Sequence, residues 1–110
     1  MALEHALPGQ SIDVSPLGER LAQQATFAVF KAQDLEVMRL VLAAGKSLPP
    51  HKVPGEITIH CIEGRLEIST PTGKTILEPG NLILLPGGEV HAVLALQPSS
   101  ALVTTRQPWR

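Results

Sequence analysis

Aromatic side chains are nearly missing from this chain: Phe27, Phe30 and Trp109 are the whole set, and tyrosine is absent. Proteins that grip single-stranded nucleic acid need rings on which bases stack, and phosphate binding needs clustered Lys and Arg. Neither is present, since nine Lys and Arg stand against ten Asp and Glu, the net charge is -1, and there is no basic run. Nucleic acid is therefore not an expected partner. A single cysteine, Cys61, cannot form an internal disulfide, which suits a reducing compartment, and the cytoplasm is the expected location. The opening "MALEHALPGQSIDVSP" has no charged start followed by a long apolar run, so no secretory signal is read there. No apolar stretch approaches the ~20 residues that span a bilayer, so a membrane is not an expected partner either.

What is abundant is aliphatic. Hydrophobic residues make up 44% of the chain and charged residues 17%, a balance that fits a folded protein. With 110 residues the chain is one domain with one modest core. After residue 45, Pro and Gly cut it into short pieces: "GEITIHCI", "GRLEIST", "GKTILEP", "GNLILLP", "EVHAVLALQP" and "SALVTTR". Each is rich in Ile, Leu, Val and Thr and bounded by turn residues, the signature of an all-β sandwich or barrel. Upstream, "TFAVFKAQDLEVMRLVLAAG" reads as two strands joined at Gln33-Asp34. Leu, Met, Arg and Ala also favour helix there, but Gly45 closes the stretch and the remainder is β. A short helix is expected around Pro16 to Gln24, with Ser15 as cap and Pro16 at its first position. The expected organisation is an N-terminal segment, residues 1–25, packing on a barrel of residues 26–110.

Alternation assigns faces. In "GEITIHCIEG", Ile57, Ile59 and Cys61 share one side and should face the interior; Glu56, Thr58, His60 and Ile62 share the other. In "VHAVLAL", His91, Val93 and Ala95 alternate with Val90, Ala92, Leu94 and Leu96, so both faces are apolar and both need cover. The second sheet with the N-terminal segment, or another subunit, could supply it, and a homodimer is expected.

Two motifs carry a family likeness. Gly45, "KSLPP", His51 and Gly64 keep the spacing of one; Gly80, "NLILL", Pro86, Gly87, Gly88, "EV" and His91 match the other without a gap, with Ala95 at its last position. In these residues the chain resembles the cupin superfamily, small single-domain barrels of the RmlC-like kind. The resemblance implies a double-stranded β-helix, or jelly-roll barrel, and a site for a divalent transition metal (zinc, nickel, iron or manganese, which the donors do not distinguish). It places two metal-ligand positions at His51 and His91. At the other two stand Val53, where a second His belongs, and Ile57, where a Glu belongs; neither has a lone pair to give.

Two imidazoles make a weak site, because a catalytic metal ordinarily has three protein ligands. Glu56, one residue from the lost Glu, is a candidate third ligand if a bulge at Pro54-Gly55 re-aims it. His60 is a weaker candidate, on the outward face. Solvated carboxylate and half-buried outer-face histidine are the plainer readings of these two. His51 and His91 read equally as a hydrogen-bonded cavity pair and as a depleted metal or proton-transfer site. Val53, Ile57, Ile59, Cys61 and Val93 are expected to line the cavity. Cys61 reads as a small hydrophobe with a protonated thiol, and Met38 as packing. Arg39 could meet a substrate carboxylate, although a surface position is its commoner state. The expected function is small-molecule binding, with or without a weakly held metal; the alternative is a metal-free structural or ligand-sensing dimer without catalysis.

Overall fold

The computed structural model describes residues 5–106; Trp109 lies outside them. Nine strands follow one short 3-10 helix, Gly18–Gln23. They are β1 Phe27–Lys31, β2 Leu35–Leu42, β3 Ser47–His51, β4 Ile57–Glu63, β5 Leu66–Thr70, β6 Gly73–Leu77, β7 Leu82–Leu85, β8 His91–Ala95 and β9 Ser99–Arg106. One sheet has the order β1-β2-β9-β4-β7 and the other β3-β8-β5-β6, and every pairing is antiparallel. The stretch "LEVMRLVL" is strand β2 rather than helix, because both its edges are paired, with β1 and with β9.

The pieces bounded by Pro and Gly are the strands, and the corners between them have local causes. Gly64 closes the β4–β5 turn with φ +85°, and a Cβ there would collide with the carbonyl of Pro98 and with Ser99. Pro49 and Pro50 are tolerated in β3 because it is an edge strand, where a missing N–H costs no ladder bond; its pairing with β8 is irregular between Leu48 and His51.

The core lies between the sheets. Ile57, Ile59 and Cys61 of β4 meet Leu66 and Ile68 of β5, Val93 and Ala95 of β8, and Leu40 of β2, all buried. The parity read from "GEITIHCIEG" therefore holds along β4. Strand β8 buries His91, Val93 and Ala95 and leaves Ala92 and Leu94 half-buried on its outer side. The N-terminal segment does not cover that outer side; it lies on the opposite sheet, where Ala6 N–H donates to the Val29 carbonyl at 3.1 Å.

Arg39 corrects the expectation of a surface residue. It points out of the barrel but is only 2% exposed, because the N-terminal segment folds over it. Its Nε and Nη2 donate to Ser100 Oγ at 3.1 and 3.0 Å, and Nη2 reaches the Ser15 carbonyl at 2.9 Å and Glu63 Oε2 at 3.3 Å. Glu63 in turn accepts from Ser100 Oγ and from the backbone N–H groups of Leu17 and Gly18, at 2.9 and 3.0 Å. That carboxylate, 45 residues away in sequence, caps the short helix. Ser15 does not cap it, and Leu17 holds the cap position. The Ser15 side chain is instead taken by Asp13 at 2.6 Å. Burial pushes the Glu63 carboxyl up, but the hydrogen bonds from Ser100, Leu17 and Gly18 and the charge of Arg39 outweigh it, so the group sits below its ordinary range.

Candidate functional site

His51 ends β3 and His91 begins β8, and the two are direct cross-strand partners. Their ring centroids lie 4.4 Å apart at an interplanar angle of 59°. His91 is buried and His51 is exposed, so the pair stands at a cavity mouth with one ring inside. The loops feeding the pair are locked together. Gly88 N–H donates to the Val53 carbonyl at 2.7 Å, and Gly87 sits so close to Pro54 that a Cβ would strike the Pro54 carbonyl. This close approach explains the glycine between Pro86 and Gly88.

Each ring is oriented by its own strand. His51 Nδ1 lies 3.0 Å from the Pro49 carbonyl and His91 Nδ1 lies 3.3 Å from the Glu89 carbonyl. A carbonyl oxygen only accepts, so Nδ1 is the donor in each contact and the lone pair of the neutral ring is left on Nε2. Burial holds His91 below the usual histidine range, the positive charge on a protonated His51 lowers it further, and the Glu89 contacts offset part of this.

The rings stand over a cavity of about 210 Å³ between the sheets. Val53, Ile57, Ile59 and Val93 line it, together with Leu40, Leu48 and Val103. Cys61 is placed differently from the expectation: it continues the face of Ile57 and Ile59 but lies beyond the cavity, fully buried in the core. Its thiol points to the Glu63 carbonyl at 3.6 Å, and burial pushes its pKa up, so it remains a protonated, inert thiol.

Glu56 does not join the histidines. It is exposed at the foot of β4 and outside the cavity lining, and no bulge at Pro54-Gly55 turns it inward. His60 is half-buried on the outer face, opposite Leu82 of β7. Three other residues do line the cavity and escaped the sequence reading: Glu36, Met38 and Thr105. Strand parity was the available signal, since Glu36 and Met38 alternate with the rest of β2 in step with Leu40, and Thr105 follows Ala101 and Val103 on β9. Glu36, Thr105 and Ile57 form one row across three strands. Glu36 is paired at the rim with Lys31, 3.6 Å away.

Among the described residues no group of three His, Cys, Asp or Glu side chains converges as metal ligands would. The donors present, two imidazoles beside Val53 and Ile57, fall short of the three protein ligands that ordinarily hold a resident catalytic metal. A second, larger cavity of about 630 Å³ lies outside the barrel, between residues 6–14 and the outer face of β1, β2 and β9, and holds neither histidine of the pair.

Comparison with known proteins agrees with this architecture. The cupin domain family model matches residues 38–105, more than half of the chain, and the protein belongs to that family. Among solved structures it is similar to the conserved SPY1581 protein of unknown function from Streptococcus pyogenes, with TM-score 0.75, 22% identity and 98% of each chain covered. It is similar also to a cupin superfamily protein, DSY2733, from Desulfitobacterium hafniense DCB-2, with TM-score 0.75, 17% identity, and 88% of this chain and 94% of that one covered. The DMSP lyase DddQ from Ruegeria pomeroyi DSS-3 aligns with TM-score 0.69 and 24% identity over 86% of this chain and 52% of its own. At these identities the likeness is one of fold. No curated protein matches the chain in sequence. No helix of the described residues is long and apolar enough to cross a membrane.

Proposed function

We propose that this cupin binds a small molecule in the barrel cavity, with His51 and His91 as its polar pole and without a tightly held metal. The observation that carries the reading is the cavity itself: an apolar space of about 210 Å³ with two oriented imidazoles at its mouth and Val53 and Ile57 in place of further ligands. Apolar pockets with a few convergent polar groups are the usual form of a ligand site. With two imidazoles as its protein ligands, a divalent metal binds here weakly. Elemental analysis of protein purified without an affinity tag tests this. Substoichiometric metal supports the reading, and one tightly retained metal per chain overturns it.

The protein also works as a homodimer in a reducing compartment, the cytoplasm. Support comes from β7, an edge strand whose Leu82 and Leu84 are 65% and 61% exposed on the outer face, next to His60 and Thr58. A second copy pairing β7 with β7 about a two-fold axis would cover both leucines and complete the edge. Light scattering at micromolar concentration tests it, and the mass of one chain overturns it. This surface, rather than the outer side of β8, is where a second subunit best fits.

A further inference from the structure

The polar groups of the barrel cavity share a bias, and one of them lacks a partner. Thr105 Oγ1 is buried and makes no hydrogen bond, and it is the one such side-chain atom among the described residues. Buried polar atoms without a partner are rare in native proteins, and each calls for an explanation. Thr105 lines the cavity and sits in register between Glu36 and Ile57.

We propose, building on the reading of this cavity as a binding site, that its ligand is a compact, mostly apolar molecule. Its polar end is an uncharged or cationic hydrogen-bond donor, such as a hydroxyl or an amine, and Thr105 is the residue that selects it.

The donors and acceptors decide the class. With both Nδ1 atoms engaged by backbone carbonyls, each neutral ring offers an acceptor at Nε2. Glu36 adds a carboxylate, which only accepts, and Thr105 adds a hydroxyl that can give or take once the side chain, whose Oγ1 is covered in the present rotamer, turns about χ1 toward the ligand. Among the described residues no Lys or Arg lines the space; Lys31 is held on Glu36 at the rim, and Arg39 is locked on the other side of β2 by Ser100 and Glu63. A carboxylate or phosphate would lose its water here and meet lone pairs and a like charge, with no cation to compensate it. A hydroxyl or amine can donate to an imidazole, to Glu36 or to the Thr105 oxygen, and a hydroxyl or neutral amine can also accept from Thr105. The volume sets the size: a dry cavity of about 150 Å³ takes a benzene, so about 210 Å³ takes a ring with a short polar arm.

The test uses three probes of matched shape, benzyl alcohol, ethylbenzene and benzoate, titrated at pH 8 into the isotope-labelled full chain. The readout is the amide shifts of β4, β8 and β9. Benzyl alcohol is expected to bind about tenfold more tightly than ethylbenzene, the factor one net hydrogen bond of ordinary strength supplies, and benzoate to leave these amides unmoved. Thr105→Val keeps the shape and removes the hydroxyl, and the tenfold preference should fall to near one. Thr105→Ser keeps the hydroxyl and should keep the preference. Benzoate binding as tightly as benzyl alcohol overturns the ligand class while leaving the cavity a binding site. If none of the three moves the cavity amides, the binding reading falls and the inference with it. A Thr105→Val protein that keeps the preference removes Thr105 from the assignment.

Discussion

Replacing Glu63 with alanine should be among the most damaging single changes outside the core. Arg39 is 2% exposed, and among the described residues Glu63 is the one carboxylate within ion-pair distance of it. Removing one member of a buried ion pair leaves a charge without compensation and costs ~3–5 kcal/mol. The Glu63 side chain is 16% exposed, so the lower end applies, about 3 kcal/mol, because water can partly replace it. For a domain of this length each kcal/mol moves the melting temperature by about 4–8 °C, so the midpoint should fall by roughly 12–24 °C. Glu63→Gln keeps one acceptor oxygen, which serves one of the two N–H groups of Leu17 and Gly18, and should lose less than Glu63→Ala. Arg39→Leu combined with Glu63→Leu removes both charges together and should be more stable than Glu63→Ala. The acid limb carries the sign. Glu63 is held below its ordinary range when folded, so its contribution is complete above the unfolded carboxylate pKa and is lost as pH falls through the folded one. Urea unfolding of the four proteins at fixed concentration, at neutral pH and at pH 4, measures all of this. A Glu63→Ala protein within about 0.5 kcal/mol of wild type would show an ordinary surface pair and refute the clasp.

Three further outcomes are expected. His91 is held below the ordinary histidine range, so its neutral form favours the fold. The stability it contributes is full above the unfolded histidine pKa and is lost as pH falls through the folded one, and urea unfolding between pH 7 and 5 should show His91→Gln less acid-sensitive than wild type. Gly64→Ala should destabilise by more than the ~1 kcal/mol of an ordinary left-handed glycine, since its Cβ would strike Pro98 and Ser99, and thermal melting reads it. Leu82→Lys with Leu84→Lys should convert the proposed dimer to a folded monomer by light scattering without lowering cavity affinity, because both leucines lie outside the barrel.

Most of the strand layout was legible because Pro and Gly mark its corners and period-two alternation marks its faces; β4 shows both at once. Strand β2 was harder, since its residues also favour helix and its outer face carries Arg39. A charge in an apolar strand reads as surface unless one knows that Glu63, Ser100 and the Ser15 carbonyl converge on it, and they come from three separate parts of the chain. The helix cap failed for the same reason: Ser15 was the local candidate and a distant carboxylate won. Within the site, the spacing of two motifs placed His51 and His91, while strand parity was the one local signal for Glu36 and Thr105, and their meeting with Ile57 in one row needed the cross-strand register of β2, β9 and β4.

We propose that this barrel keeps two positions of a metal site, His51 and His91, and has filled the other two with Val53 and Ile57. Calorimetric zinc titration of tag-free wild type beside Val53→His combined with Ile57→Glu tests it most directly. Both positions line the cavity with the histidine pair, and two added ligands contributing only ~1.4 kcal/mol each would raise affinity about a hundredfold. Weak binding is expected in the wild type, and an increase of at least that order in the variant. Equal affinities in two folded proteins would contradict it.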